Sequence, residues 1–209
     1  LSYGYKKIRR NALSPGTLSL ERHRLLWLYL INETNFLDLK LKVLHVAPEQ
    51  ILYKKFKKKQ NWNYFTFDLK SPLADIKGDL KSMNFEDQSF DLIICNHVLE
   101  HIDDDIKALN EIYRVLKSGG VAILQVPINF KKDKTFEDQS ITSKKDREKY
   151  FGQYDHLREY GLDFKDRVEK AGFDVEMVYY AENFSEEMKF KYGLQINDVI
   201  PVARKSFSN

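Results

Sequence analysis

"FDLIICNHVLEHIDDDIKALNEIYRVLKSGGVAILQV", residues 90–126, changes its period twice. The first seven residues are almost continuously apolar, as in a strand buried on both faces. Residues 103–116 then put Ile106, Leu109, Ile112, Tyr113 and Leu116 on one stripe, the spacing of a helix lying on a core. Aspartates at its start and Arg114 and Lys117 near its end match the helix dipole. Gly119-Gly120 is expected to end this helix, and residues 121–126 read as the next strand. Strand, helix and strand in close succession make a parallel crossover unit.

The alternation continues on both sides. Upstream, residues 42–46 read as a strand and 48–58 as a helix with proline in its first turn. Residues 63–68 and 76–78 read as further strands. Downstream come a helix near 162–171, a strand at 174–180, a short helix near 185–192 and a last strand near 198–204. Residues 127–145 are polar and aperiodic and read as a mobile loop. Residues 21–31 form an amphipathic helix ahead of the first strand. The expectation is a doubly wound α/β domain over residues 41–209, with residues 1–40 an extension packing on it.

Composition sets outer bounds. A chain of 209 residues with 43% hydrophobic and 13% aromatic content can bury one core. Its net charge of +3 is a small excess, and nucleic acid is not the expected partner. Cys95 is the single cysteine, which excludes an internal disulfide and a cysteine-based zinc site and suits a reducing, cytoplasmic setting. The longest apolar run, residues 25–31, is too short to span a bilayer, and no membrane association is expected. The basic start lies too far from that run to make a signal peptide. The chain begins at Leu1 rather than methionine, so residues upstream are expected.

In doubly wound sheets ligands bind beyond the carboxyl ends of the strands, so what each strand delivers there matters most. The first delivers His45 to Glu49, without glycine; a phosphate-binding turn would need glycines, and Glu49 would repel phosphate but attract an ammonium. Asp68 ends the second strand and can accept from both hydroxyls of a ribose. Asp79 and Leu80 follow the third, an acid for an amino group and an apolar face for a ring. The fourth delivers Asn96 and His97. Each residue alone also has a plain structural reading: Asp68 a solvated turn, Glu49 a helix-dipole acid.

Together, residues 78–127, "GDLKSMNFEDQSFDLIICNHVLEHIDDDIKALNEIYRVLKSGGVAILQVP", resemble the class I S-adenosylmethionine-dependent methyltransferases, in particular the type 11 small-molecule family. The likeness extends over residues 41–204. It implies a Rossmann-like seven-stranded sheet of order 3-2-1-4-5-7-6 with strand seven antiparallel. It also implies S-adenosylmethionine as cofactor, S-adenosylhomocysteine as product and a small-molecule acceptor, with an oxygen acceptor favoured. Carried over, the methionine part lies against His45, Val46, Ala47 and Glu49, the ribose against Asp68 and Leu69, the adenine near Asp79 and Leu80, and the sulfonium beside Asn96 and His97. The chain departs from the family at the first motif, where His45 stands for the usual acid and Ala47 and Glu49 for the usual glycines. The alternative is therefore a non-catalytic cofactor- or partner-binding protein with a degenerate first motif.

Three further segments carry candidates. Arg22 or Arg24, at the start of the first helix, is expected to meet the cofactor carboxylate; the plain reading is a solvated basic end. In "YFGQYDHLREYG", residues 150–161, Tyr154 and His156 suit an acceptor hydroxyl, with His156 as general base and Arg158 holding a negative group. His101 is a second catalytic candidate. Glu100 and His101 are also metal-ligating types, but without a third ligand no metal site is expected. The lysine runs at 54–59 and 131–134 read as solvated faces.

Overall fold

The structure, a computed structural model, describes residue 9 and residues 11–207. Helix α1 (Glu21–Asn32) precedes β1 (Leu41–Val46), α2 (Gln50–Phe56), β2 (Trp62–Asp68), β3 (Ile76–Lys77) and β4 (Phe90–Cys95). Then follow α3 (Asp105–Val115), β5 (Leu116–Ile123), β6 (Phe136–Glu137), α4 (Lys144–Phe151), β7 (Arg158–Glu159) and α5 (Phe164–Glu169). The described chain ends with β8 (Asp174–Val178), α6 (Glu186–Tyr192) and β9 (Ile200–Arg204).

The main sheet runs β3-β2-β1-β4-β5-β9-β8. Counted by its own strands, this is the expected order 3-2-1-4-5-7-6. The pairs from β3 through β5 are parallel, and β9 is antiparallel to both β5 and β8.

Both faces of the sheet are buried, and strand alternation divides them. Along β4, Leu92 and Ile94 join one core while Ile93 and Cys95 join the other. That two-sided burial is why the segment is continuously apolar instead of alternating. One core takes Ala108, Leu109, Ile112 and Val115 of α3 with Phe164 and Val168 of α5. The other takes Leu25, Leu26, Tyr29 and Leu30 of α1 with Leu52 and Phe56 of α2. The first helix thus belongs to the core. No helix among the described residues is long and apolar enough to cross a membrane.

The structure corrects two expectations. Helix α3 stops at Val115, before the glycine pair, because Leu116 already pairs with Phe90. Pairing resumes at Leu92 with Val121, so the glycines lie within an irregular stretch of β5, with Gly119 at φ +75°. Residues 127–145 are not a structureless loop. Phe136–Glu137 pairs antiparallel with Arg158–Glu159, Asn129 N donates to the Tyr160 carbonyl at 2.8 Å, and Thr135 donates to Asp163 at 2.7 Å. Helix α4 follows, capped by Ser143, whose side chain accepts from Asp146 N, and ended by left-handed Gly152.

Candidate functional site

The carboxyl ends of β1, β2, β3 and β4 meet on one side of the sheet. A cleft of about 560 Å³ opens there, lined by Val46, Ala47, Asp68, Leu69, Asp79 and Leu80 together with His97 and His101. This volume lies within the range of small-molecule and cofactor sites. A second cleft of about 230 Å³ is lined by Arg22, Gln125, Asp198 and, again, His97. His97 therefore faces both.

Backbone geometry at two strand ends is unusual for the residues present. Ala47 has φ +47° and His97 φ +54°, both in the left-handed region that favours glycine. Ala47 N donates to the Phe67 carbonyl at 2.8 Å, and His97 N donates to the Gln125 carbonyl at 2.7 Å. These bonds to neighbouring strands hold a conformation that costs about 1–3 kcal/mol without glycine. The first turn lacks its glycines in sequence, yet Ala47 keeps a glycine-like path.

His45 does not reach the cleft. It is fully buried on the α1 side of the sheet, with Nδ1 2.7 Å from the Tyr64 hydroxyl and Nε2 3.0 Å from Glu49 Oε2. Burial raises the Tyr64 phenol well above its ordinary value, so the hydroxyl stays protonated and donates to Nδ1. Nε2–H then donates to Glu49. On the other side, His23 Nδ1 accepts from Leu20 N at 3.2 Å, which leaves Nε2–H directed at Glu49 Oε1, 3.5 Å away. Burial alone would raise the Glu49 carboxyl; His23 and His45 overcome it and hold the group well below the usual carboxylate range. Glu49 lines neither cleft. It is an ionised acid between two histidines, joining α1 to the turn after β1.

Arg22 and Arg24 separate cleanly. Arg24 donates to the carbonyls of Asn11, Ala12, Ser19, Tyr192 and Gly193, so its guanidinium is spent on backbone. Arg22 lines the smaller cleft, and its Nε is buried without a hydrogen-bond partner. Asp198 on the same cleft has an unpartnered oxygen, and burial together with the charge of Glu21 pushes its carboxyl up to about 7.

Buried polar atoms are normally paired, so where they are not is informative. Among the described residues, the unpartnered ones belong to Glu21, Arg22, His23, Glu49, Asn96, Glu100 and Asp198. Asn96 is 3% exposed, and neither its amide oxygen nor its nitrogen has a partner. Next to it, burial and the nearby Arg22 charge push the His97 imidazole below its ordinary value, although Glu100 Oε1 lies 3.2 Å from Nδ1. The unsatisfied atoms of Arg22, Asn96 and Asp198 fit a polar ligand with both donors and acceptors.

The strand-end acids also fit such a ligand. Asp68, which lines the cleft, accepts at Oδ1 from the backbone of Lys70 and Ser71, which fixes its carboxylate. Asp79 Oδ1 accepts from Lys81 N at 2.8 Å, and its Oδ2 lies 3.7 Å from the Lys81 ammonium. The residues present thus offer an oxygen for a ribose, an acid beside Leu80 for an amino-bearing ring, and Arg22 for a carboxylate.

The late segment lies differently from its expected arrangement. Tyr154 lines neither cleft; its ring is exposed, with the Lys144 ammonium 5.7 Å from its centroid. His156 is buried against His101, their ring centroids 4.8 Å apart, and donates Nδ1–H to the Phe151 carbonyl. Burial holds its imidazole below the ordinary value. Arg158 is not available to hold a substrate. It is 3% exposed and donates to the carbonyls of Leu99, Ile102 and Asp103 and to Glu137 Oε2 at 2.9 Å. Nothing in a local pattern of residues could have marked it as the brace between β7 and the segment after β4, because the carbonyls it meets there lie 55 to 59 positions upstream.

Comparison with known proteins agrees with this geometry. The model of a family described as a methyltransferase domain matches residues 32–124. A protein of Mycolicibacterium smegmatis described as a probable S-adenosylmethionine-dependent methyltransferase is 30% identical over 107 residues, 50% of this chain and 37% of that protein. The chain spans only about a third of the length of such curated relatives. Among solved structures, the [4+2]-cyclase SpnF aligns with a TM-score of 0.62 at 18% identity, over 100% of this chain and 89% of that one. The Burkholderia thailandensis 1,6-didemethyltoxoflavin-N1-methyltransferase, solved with bound 1,6-didemethyltoxoflavin and S-adenosylhomocysteine, aligns at 0.57 and 16% identity, over 89% and 78%. At such identities the structural likeness speaks for the fold, and the family likeness rests on the matched stretch, residues 32–124. On that footing residues 32–124 are similar to the methyltransferase-domain family, and the fold of the chain is like that of solved S-adenosylmethionine-dependent methyltransferases.

Proposed function

We propose that the protein transfers the methyl group of S-adenosylmethionine to a small-molecule acceptor. The observation that carries this is Asn96, a buried amide with neither polar atom partnered, beside a strand-end cleft bearing Asp68 and Asp79. In this reading Asp68 binds the ribose with Leu69 alongside, and Asp79 and Leu80 take the adenine. The left-handed turn at Ala47 gives the methionine part close access to backbone, and Arg22 meets its carboxylate. Glu49 shapes the turn from behind through His45 and His23 rather than binding the ammonium.

The cofactor supplies an activated methyl on a cationic sulfur, and transfer needs no covalent enzyme intermediate. The protein's task is to hold an acceptor in line with the S–CH₃ bond and keep water out. His97, which faces both clefts, and His101 are the side chains suited to border the acceptor. Tyr154 and His156 do not line the clefts and take no direct part. A screen of small hydroxyl and amine acceptors with labelled methyl donor tests the proposal. Label transferred to an acceptor supports it; tight S-adenosylhomocysteine binding with no transfer to any acceptor would leave the chain a cofactor-binding protein of another activity.

A further inference from the structure

We propose that Glu100, His101 and His156 form a three-ligand site for a divalent transition-metal ion at the rim of the cofactor cleft. The sequence offers Glu100 and His101 together but separates His156 by 55 positions; the fold supplies the missing third group. One ligand atom from each of the three residues lies within 4.8 Å of the other two.

The hydrogen bonds around the cluster have the form that ligation needs. His156 Nδ1 lies 3.1 Å from the Phe151 carbonyl and His101 Nδ1 3.2 Å from the Asp155 carbonyl. A carbonyl oxygen only accepts, so both Nδ1 atoms carry protons. In the neutral rings each Nε2 then holds a bare lone pair, and the backbone fixes ring orientation as outer partners of metal-bound histidines do. Glu100 is 1% exposed; His97 lies at one carboxylate oxygen, and the other, Oε2, is buried without any partner. A buried carboxylate oxygen left unpaired is costly unless something positive meets it.

The segment carrying His156 is tied in place, because Leu157 N donates to the Glu100 carbonyl at 2.8 Å. Ligands around a tetrahedral ion with bonds of about 2.0–2.1 Å stand about 3.3 Å apart, so binding draws the three side chains inward by roughly an ångström. Two imidazoles and one carboxylate suit the series from manganese to zinc rather than calcium or magnesium, which prefer oxygen alone. Three protein ligands leave coordination positions open. His101 and Asp155 line the cofactor cleft, so those positions are within reach of its occupant. The site itself does not depend on the methyl-transfer reading.

Metal uptake is measured directly, on untagged protein stripped with a chelator and dialysed. Co²⁺ is titrated while its visible absorption is followed, and Zn²⁺ by calorimetry. The expected result is saturable uptake of one ion per chain, with shifted imidazole proton signals from both histidines in the Co²⁺ form. His101→Asn and His156→Gln should each weaken binding by at least about tenfold, with the melting temperature in chelator showing that they remain folded. No saturable uptake by the wild type, no shifted His101 and His156 signals, or undiminished affinity in both variants overturns the proposal. The wild-type spectra decide the matter even if a variant does not fold. S-adenosylhomocysteine binding is read separately, so failure of the metal site and failure of the methyltransferase reading are distinguishable.

Discussion

His45 Nε2 lies 3.0 Å from Glu49 Oε2, one turn of chain further on, and this contact replaces an acid at the end of β1 by one that reaches back to it. The negative charge is kept in the neighbourhood of the first turn but is held between His45 and His23. The turn is thereby organised from inside the fold, while its backbone at Ala47 remains open to the cleft.

This arrangement predicts acid sensitivity. The folded Glu49 carboxyl is held below its unfolded value, so its contribution to stability is full above the unfolded value of about 4.3 and is lost as pH falls from there toward the folded one. Glu49→Gln should cost roughly 1–3 kcal/mol at neutral pH, and the deficit should shrink as the pH is lowered below about 4. Urea unfolding of both proteins across pH 3 to 7 measures this; a constant difference would contradict it.

Asp198 predicts the opposite sign. Its folded value, about 7, lies above the unfolded one, so stability is full below the unfolded value and is lost as pH rises through the folded value. Asp198→Asn should therefore be close to neutral near pH 4 and more stable than the wild type at pH 8. Paired thermal melts at the two pH values check it.

The two arginines of the first turn of α1 should fail in different ways. Arg24→Ala leaves several backbone carbonyls without their donor and should lower stability by about 2 kcal/mol or more. Arg22→Ala should leave stability nearly unchanged but weaken S-adenosylhomocysteine binding about tenfold, close to 1.4 kcal/mol. Equal effects on both quantities in both variants would refute the division.

Ala47→Gly tests the turn after β1. Glycine usually destabilises when it replaces alanine, but at φ +47° it removes strain and should stabilise by about 1 kcal/mol. Ala47→Val should destabilise. Denaturant midpoints for the two variants decide the sign.

Most of the fold was legible where one residue's environment repeats along an element. The apolar run at 90–95 and the stripe from Ile106 to Val115 each report burial with a regular period, and so the parallel crossover could be read. The strand ends followed from it, and Asp68, Asp79 and Leu80, which stand there, line one cleft. What could not be read depends on partners distant in sequence. A two-residue ribbon such as β6 with β7 has no period, and Glu137 meets Arg158 only because the chain returns. Arg158 looks like a ligand-binding residue in sequence and is a buried brace in the fold. The junction at Gly119-Gly120 misled because a glycine pair ends helices and also accommodates irregular strands. Helix α4 carried readable signals, Ser143 as cap and Gly152 as stop, which its run of charged residues obscured.

Calorimetric titration of S-adenosylhomocysteine into the wild type and Asp68→Ala tests the central claim most directly. The account predicts saturable binding of one molecule per chain by the wild type and affinity lower by about tenfold or more in the variant, with the variant still folded. No binding by the wild type, or equal affinity in the two proteins, would contradict it.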